Sequence, residues 1–214
     1  MTLAKSISAS DLMLATLGKR PFKDAEWIFE LKYDGYRCLV RKSDGVVELL
    51  SRNGNELGSS FPDVAAAVTS IPGNFVLDAE LTVDEQNGRS SFEWLRRRAV
   101  TKTPGAVRQA VARHPARLYF FDALAIGDDD LRGLPLEERK RRLRSAFDDT
   151  KTVIFATGIV GEGRWVFEQA IAHDLEGMVA KRLDAPYSSG RSRDWIKIKN
   201  ADYSRREALG WGKS

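Results

Sequence analysis

The chain has 214 residues, 43% hydrophobic and 30% charged, which is enough to bury a sizeable core. No apolar run is long enough to span a bilayer, and MTLAKSISASDL at the start lacks the apolar core and cleavage site of an export signal. The single cysteine excludes a disulfide framework and any zinc site built on several cysteines, so the expectation is a reduced, cytoplasmic, soluble monomer. Lys and Arg number 34 against 30 Asp and Glu, giving a net charge of +4 and a pI near 9.2. That is a mild lean towards polyanionic partners, which the placement of the charges must decide.

Residues 27–33 (WIFELKY) and 36–41 (YRCLVR) carry strand patterns separated by Asp34-Gly35, a dipeptide suited to tight turns. The pattern resumes over 46–50, after Ser43-Asp44-Gly45. A helix is predicted over 61–69, with Pro62 near its start, where a missing N–H costs nothing. A strand over 75–83 (FVLDAELTV) follows. Ser90, three residues before Glu93, reads as a capping box opening the helix SFEWLRRRAV. Next come a strand over 117–126 (RLYFFDALAI) and a helix over 135–147. That helix has Leu136, Leu143 and Phe147 along one side, and Glu137/Arg141 and Glu138/Arg142 at i,i+4 spacing on a solvated outer face. A helix over 164–173 precedes strands over 177–182 and 195–199. Without strict βαβ alternation, this mixture predicts an α+β domain of largely antiparallel sheets flanked by helices.

Successive side chains of a strand point to opposite faces, so parity sorts the charges. Trp27, Phe29 and Leu31 share a core face, which leaves Ile28, Glu30 and Lys32 on the other. Phe75, Leu77, Ala79 and Leu81 face the core, opposite Asp78 and Glu80. Ile196 and Ile198 lie opposite Trp195, Lys197 and Lys199. Any one of these strands would pass for a half-exposed edge. Glu80, however, is enclosed by Val, Leu and Ala, where an unpaired carboxylate is costly. If the charged faces of all three converge, they line a cleft holding three lysines and three acids.

These residues also carry a family resemblance. Lys32-Tyr33-Asp34-Gly35-Tyr36-Arg37 matches KxDGxR, the signature of the covalent nucleotidyltransferases: DNA ligases, RNA ligases and mRNA capping enzymes. Further matches follow in family order. They are Ser51-Arg52-Asn53-Gly54, Asp78-Ala79-Glu80-Leu81, Tyr119-Phe120-Phe121-Asp122, Glu176-Gly177-Met178-Val179-Ala180-Lys181 and Trp195-Ile196-Lys197-Ile198-Lys199. Within that group, WIFELK and Ser189-Gly190-Arg191-Ser192-Arg193-Asp194-Trp195 most resemble the ligase domain of bacterial end-joining ligases, the LigD type.

The resemblance implies an ATP-grasp-like nucleotidyltransferase fold over 1–200. It also implies that Lys32 takes AMP from ATP as a lysyl-AMP phosphoramidate. A lysine must lose its proton before it attacks, and neighbouring Lys197, Lys199 and Mg2+ would favour that loss by like-charge repulsion. By position, Glu30 would lie near adenine and Phe121 would stack on it. Arg37 and Arg52 would serve the ribose and phosphates, Glu80 and Glu176 the ribose or the metal, and Lys197 and Lys199 the α-phosphate. Asp34 would shape the loop and later assist sealing. AMP would pass to a 5′-phosphate of nicked or broken duplex DNA, the 3′-hydroxyl would displace it, and end-joining repair proteins are the implied partners.

Other residues carry less. Cys38 shares a face with Tyr36 and Val40 and reads as core. His114 and His173 lack metal-ligand partners at useful spacing. Arg139-Lys140-Arg141-Arg142 reads as a solvated helix face, and Arg96-Arg97-Arg98 as the better candidate for phosphate contacts. DNA ligases of this kind continue past the last of these motifs into an OB-fold carrying a further basic motif. Here 201–214 (ADYSRREALGWGKS) stands in its place and has no OB-fold strand pattern, so the expectation is a natural short form with slow charging of Lys32 and weak DNA affinity. Two other readings stay open. One is an RNA ligase or stand-alone adenylyltransferase; the other is a non-catalytic module that binds DNA ends or nucleotide.

Overall fold

Alternating apolar and polar residues give each sheet two unlike faces. The computed structural model, which describes residues 3–85 and 89–204, stacks two such sheets. In chain order the elements are α1 (Leu3–Ser6), β1 (Met13–Leu17), β2 (Asp24–Leu31), β3 (Tyr36–Ser43), β4 (Val46–Ser51), α2 (Pro62–Thr69) and β5 (Phe75–Val83). Then come α3 (Phe92–Val100), α4 (Pro104–Arg113), β6 (Ala116–Ile126), β7 (Asp129–Asp130), α5 (Leu136–Ala146), β8 (Val153–Phe155) and β9 (Gly158–Gly161). The last are α6 (Gly163–Ala172), β10 (Gly177–Arg182) and β11 (Gly190–Lys199).

One sheet has the order β1-β11-β10-β2-β9; the other runs β4-β3-β5-β6-β7, with β8 beside β6. Only β1/β11 and β6/β8 pair parallel among the described strands, so the sheets are largely antiparallel, as the pattern predicts. Three apolar clusters fill the layers. Phe29, Met178 and Ile198 join Val166 of α6 on the outside of the first sheet. Cys38, Val40, Leu77, Ala79 and Leu81 pack with Val64, Leu95 and Leu143 on the outside of the second. Between the sheets lie Met13, Leu39, Val76, Phe121, Tyr187 and Trp195. Strand parity is thus correct on β2, β5 and β11, and Cys38 is a core residue.

Several expectations change. β2 and β3 are not a hairpin: β2 belongs to one sheet and β3 to the other, so residues 32–35 form the crossover between them. Gly35 is required there by proximity. A Cβ on it would stand 2.4 Å from the Leu81 carbonyl oxygen, because the crossover runs against β5. The N-cap of α3 is Ser91, whose hydroxyl accepts from Trp94 N–H, while Ser90 pairs with Asp84. The cap thus sits one residue later than the capping-box spacing places it. Periodicity alone does not reveal β1, α4, β8 or β9. β1 is mostly half-buried and has no clean alternation, and β9 is a short, glycine-bounded edge. Among the described residues no helix is long and apolar enough to cross a membrane. Of the 201–214 segment, 205–214 lie outside the described residues, whereas Tyr203 is buried beside the crossover.

Candidate active site

The register of the first sheet lines up its polar residues. Glu30 on β2 stands opposite Val179 on β10, and Val179 opposite Lys197 on β11. All three therefore share the face turned towards the second sheet. Lys32 lies one residue past β2, yet its N–H still donates to the Gly177 carbonyl at 2.9 Å, so the strand's parity carries through it. Gly177 itself is forced by geometry: its φ is +138°, and a Cβ would meet the Ile198 carbonyl oxygen at 2.1 Å. From the second sheet, Arg37 on β3 and Glu80 on β5 are cross-strand partners facing back. Between the sheets opens a cleft of about 760 Å3 whose walls include Glu30, Lys32, Arg37, Arg52, Glu80, Phe121 and Lys197. The cleft is of the size that holds a nucleotide-sized ligand.

Lys32 and Glu176 form an ion pair at one end, with side chains 24% and 7% exposed. Glu80 stands close to both. Burial pushes its carboxyl up to about 7, Lys32 and Arg37 pull it back, and the Glu176 charge pushes it further up. Lys197 and Lys199 are both shifted downward, chiefly by burial. Lys32 lowers each of them and Glu176 opposes the shift. Glu176 and Lys199 are not on the cleft wall; both act at its Lys32 end. Arg52 is exposed on the rim. Arg191, to which the motifs give no role, lines the same wall near Lys197.

The other end is closed. Glu30 is 4% exposed; Lys140 donates to its Oε1 at 2.5 Å and Lys181 to its Oε2 at 2.6 Å. Lys181 also stands 4.2 Å from the Phe121 ring centroid and 4.5 Å from that of Trp195. Burial first, and the Lys140 charge among the other causes, bring Lys181 down to about 8. Arg37 is held rather than free. It forms a two-pronged ion pair with the fully buried Asp78 and donates to the Met13 carbonyl at 3.0 Å, while its guanidinium stands 4.7 Å from the Phe121 centroid. Its expected service to ribose and phosphates is thus combined with a fixed structural bond.

Two basic runs are corrected here. Arg139 and Lys140 are not solvated: Arg139 is fully buried and forks onto Asp122 at 2.8 and 2.9 Å, and only Arg141 and Arg142 keep the outer face. There Glu138 pairs with both arginines, and it takes Arg141 in place of the Glu137 that the i,i+4 spacing offers. Arg98 is likewise inward, bound to Asp63 and the His114 carbonyl, which leaves Arg96 and Arg97 as the exposed members of that run. Helical periodicity could flag Lys140, since it lies beside the Leu136/Leu143 stripe, but a four-residue basic run masks that signal. Nor does local pattern point to Tyr203. Its hydroxyl donates to Asp34 at 2.5 Å, tying the segment after β11 to the crossover loop.

Residues 2–199 match the family model described as the ATP dependent DNA ligase domain. The SPbeta prophage-derived DNA ligase-like protein LigB of Bacillus subtilis is 33% identical over 196 residues, covering 91% of this chain and 69% of that protein. The multifunctional non-homologous end joining protein LigD of Pseudomonas aeruginosa is 35% identical over 190 residues, 87% of this chain but 21% of its own length. Among solved structures, a mycobacterial DNA ligase D complexed with ATP and MES superposes with a TM-score of 0.76 at 28% identity, over 94% of this chain and 62% of that one. The chain thus spans most of one relative and a minor part of another.

Proposed function

The chain belongs to the ATP-dependent DNA ligase family, and from that premise we propose that residues 1–200 are an adenylation unit in which Lys32 attacks the α-phosphorus of ATP. An N–P bond forms to the Lys32 amine, the P–O bond to pyrophosphate breaks, and AMP remains as a lysyl phosphoramidate. One observation carries this reading. A nucleotide-sized cleft has Lys32, Glu80 and Lys197 at one end and the Phe121 ring with the buried Glu30 carboxylate at the other. An amine with cations for the phosphates, together with an aromatic ring and an acceptor for the base, is the set of groups that ATP requires, and the similar mycobacterial DNA ligase D was solved complexed with ATP.

Each group has a task. Glu176, already accepting the Lys32 hydrogen bond, is the nearest recipient for the proton that the amine must lose. Lys197 and Lys199 stabilise negative charge on the transferring phosphate, and their partial burial strengthens that effect. Phe121 offers a ring face to the purine, while Arg37 and Arg52 serve the ribose and phosphates. Glu80 and Glu176 fit a divalent cation: they are carboxylates close enough to repel one another, with the hard oxygen donors that Mg2+ prefers. Bound there, Mg2+ would neutralise phosphate charge. AMP then passes to the 5′-phosphate of a nick or break in duplex DNA, and the 3′-hydroxyl displaces it. Similarity to a non-homologous end joining protein supports strand-break repair as the setting.

The test is incubation with α-labelled ATP and Mg2+ followed by denaturing electrophoresis. The expected result is a labelled wild-type band and an unlabelled Lys32→Ala band. Equal labelling of the two would remove Lys32 as nucleophile. A pre-adenylated nicked DNA duplex then tests the acceptor: sealing of adenylated RNA nicks but not DNA nicks would reassign the substrate.

A further inference from the structure

Lys140 lies on α5, outside both sheets, but its side chain passes inward beneath the closed end of the cleft and is 6% exposed. Besides Glu30 Oε1, its ammonium donates to the Ala156 carbonyl at 3.0 Å and to the Phe121 carbonyl at 3.4 Å. It stands 4.7 Å from the Phe155 ring centroid. One cation therefore ties together the carboxylate that lines the cleft and the backbone of the aromatic residue beside it. An ammonium has three protons to donate, and these three acceptors match that number.

Structural need alone does not explain this arrangement. Lys181 already neutralises Glu30 through the other carboxylate oxygen, so the pair would be balanced without Lys140. A second lysine leaves the buried cluster with an excess positive charge, which costs solvation energy. Burial and the Lys140 charge both disfavour the charged form of Lys181. What the additional cation provides is direction. With Oε1 held by Lys140 from behind the wall and Oε2 by Lys181, which itself lines the cleft, the carboxylate plane is fixed, and the lone pairs these two lysines leave over remain to accept from a group in the cleft. Fixed acceptors of that kind favour a base carrying an exocyclic amine over one presenting a carbonyl, whose oxygen would face the carboxylate, or nothing, which leaves the cleft-side lone pairs unmatched.

We propose that Lys140 is a positioning residue for nucleotide selectivity: it holds Glu30 and the Phe121 backbone so that the carboxylate selects a purine bearing an amine at C6. This rests on the reading that ATP occupies the cleft with its base at the Glu30 end. Lys140 touches no part of the nucleotide and acts only through Glu30 and Phe121.

The measurement is Lys32 labelling by ATP and by purine riboside triphosphate, which lacks the 6-amino group, across nucleotide concentrations. Wild-type enzyme is expected to prefer ATP by about 10-fold or more in rate over half-saturating concentration. Lys140→Met should lose most of that preference through weaker ATP saturation, with the rate at saturating ATP within about 3-fold of wild type. Lys140→Arg, which keeps the cation, should recover the preference. Full wild-type preference in Lys140→Met overturns the proposal, and so does a fall confined to the saturating rate. If Lys140→Met does not fold, Lys140→Gln decides in the same way; failure of both to fold while Lys140→Arg folds assigns Lys140 to stability and also overturns it. Glu30→Gln separates the two readings. If it loses the preference while Lys140→Met keeps it, only the Lys140 proposal fails. If Glu30→Gln keeps it, or wild type shows none, the placement of the base at Glu30 fails as well.

Discussion

The two ends of the cleft use the same residue types under opposite physical conditions. At the Lys32 end, Lys32 is 24% exposed and paired with Glu176, and three lysines and two carboxylates cluster within electrostatic reach of one another. Charges there are only partly compensated, which on the proposed reading leaves them free to answer an incoming phosphate. At the Glu30 end, Glu30, Lys140 and Lys181 are each under a tenth exposed, and beside them Arg139 and Asp122 are fully buried. Protein partners hold one bond to each Glu30 oxygen there, which makes that end a rigid template. The difference teaches that charge serves reaction where water still competes, and shape where water is excluded, because a buried charge is tolerated only when its partners are fixed.

The comparison can be broken most sharply at Arg139. Replacing it by Met leaves Asp122 buried without its fork partner, and the expected loss of stability is about 3–5 kcal/mol. Arg142→Ala on the same helix should cost under about 0.5 kcal/mol, since its partners are exposed. Denaturant unfolding of the two variants checks this, and equal losses would show that the fixed, buried fork on Asp122 does not set the Glu30 end apart. A smaller effect is expected from Lys197→Ala, where labelling of Lys32 by ATP should slow by about 100-fold. Its unfolding midpoint should barely move, so a stability loss as large as that of Arg139→Met would place Lys197 with the rigid end.

The smallest effect sharpens the picture of Glu80. Its carboxyl is raised from 4.5 to about 7 in the folded chain, so the folded state holds that proton more tightly than the unfolded one. The resulting stability is fully present below the unfolded value and is lost as pH rises through about 7. Nucleotide-free, Mg2+-free wild type should therefore lose about 1–2 kcal/mol between pH ~5 and pH ~8 relative to Glu80→Gln. Parallel stability curves for the two would show that Glu80 does not hold its proton this way.

Much of the cleft is legible in the chain's own pattern. Alternation along WIFELKY, FVLDAELTV and WIKIK assigns the inward faces correctly, because a half-buried strand cannot hide its period. The ordered motifs bring Glu30, Lys32, Arg37, Arg52, Glu80, Phe121 and Lys197 to one cleft, with Glu176 and Lys199 just behind its Lys32 end. The failures share one cause. Asp34-Gly35 looks like a hairpin turn locally, yet the chain crosses between sheets there, and nothing in a dipeptide records which sheet the next strand joins. Arg139 and Lys140 look solvated because their acceptors, Asp122, Glu30 and Ala156, lie on other elements.

The sequence by itself determined the strand faces, the order of the motifs and the choice of Lys32 as candidate nucleophile, since these depend on period and on local chemistry. Only the tertiary structure decided that Lys32 meets Glu176, 144 residues away, and that Lys140 reaches Glu30 across 110. Pairing at such separations is set by how two sheets and a helix stack to bury their apolar faces, and that packing turns a basic surface pattern into an internal support.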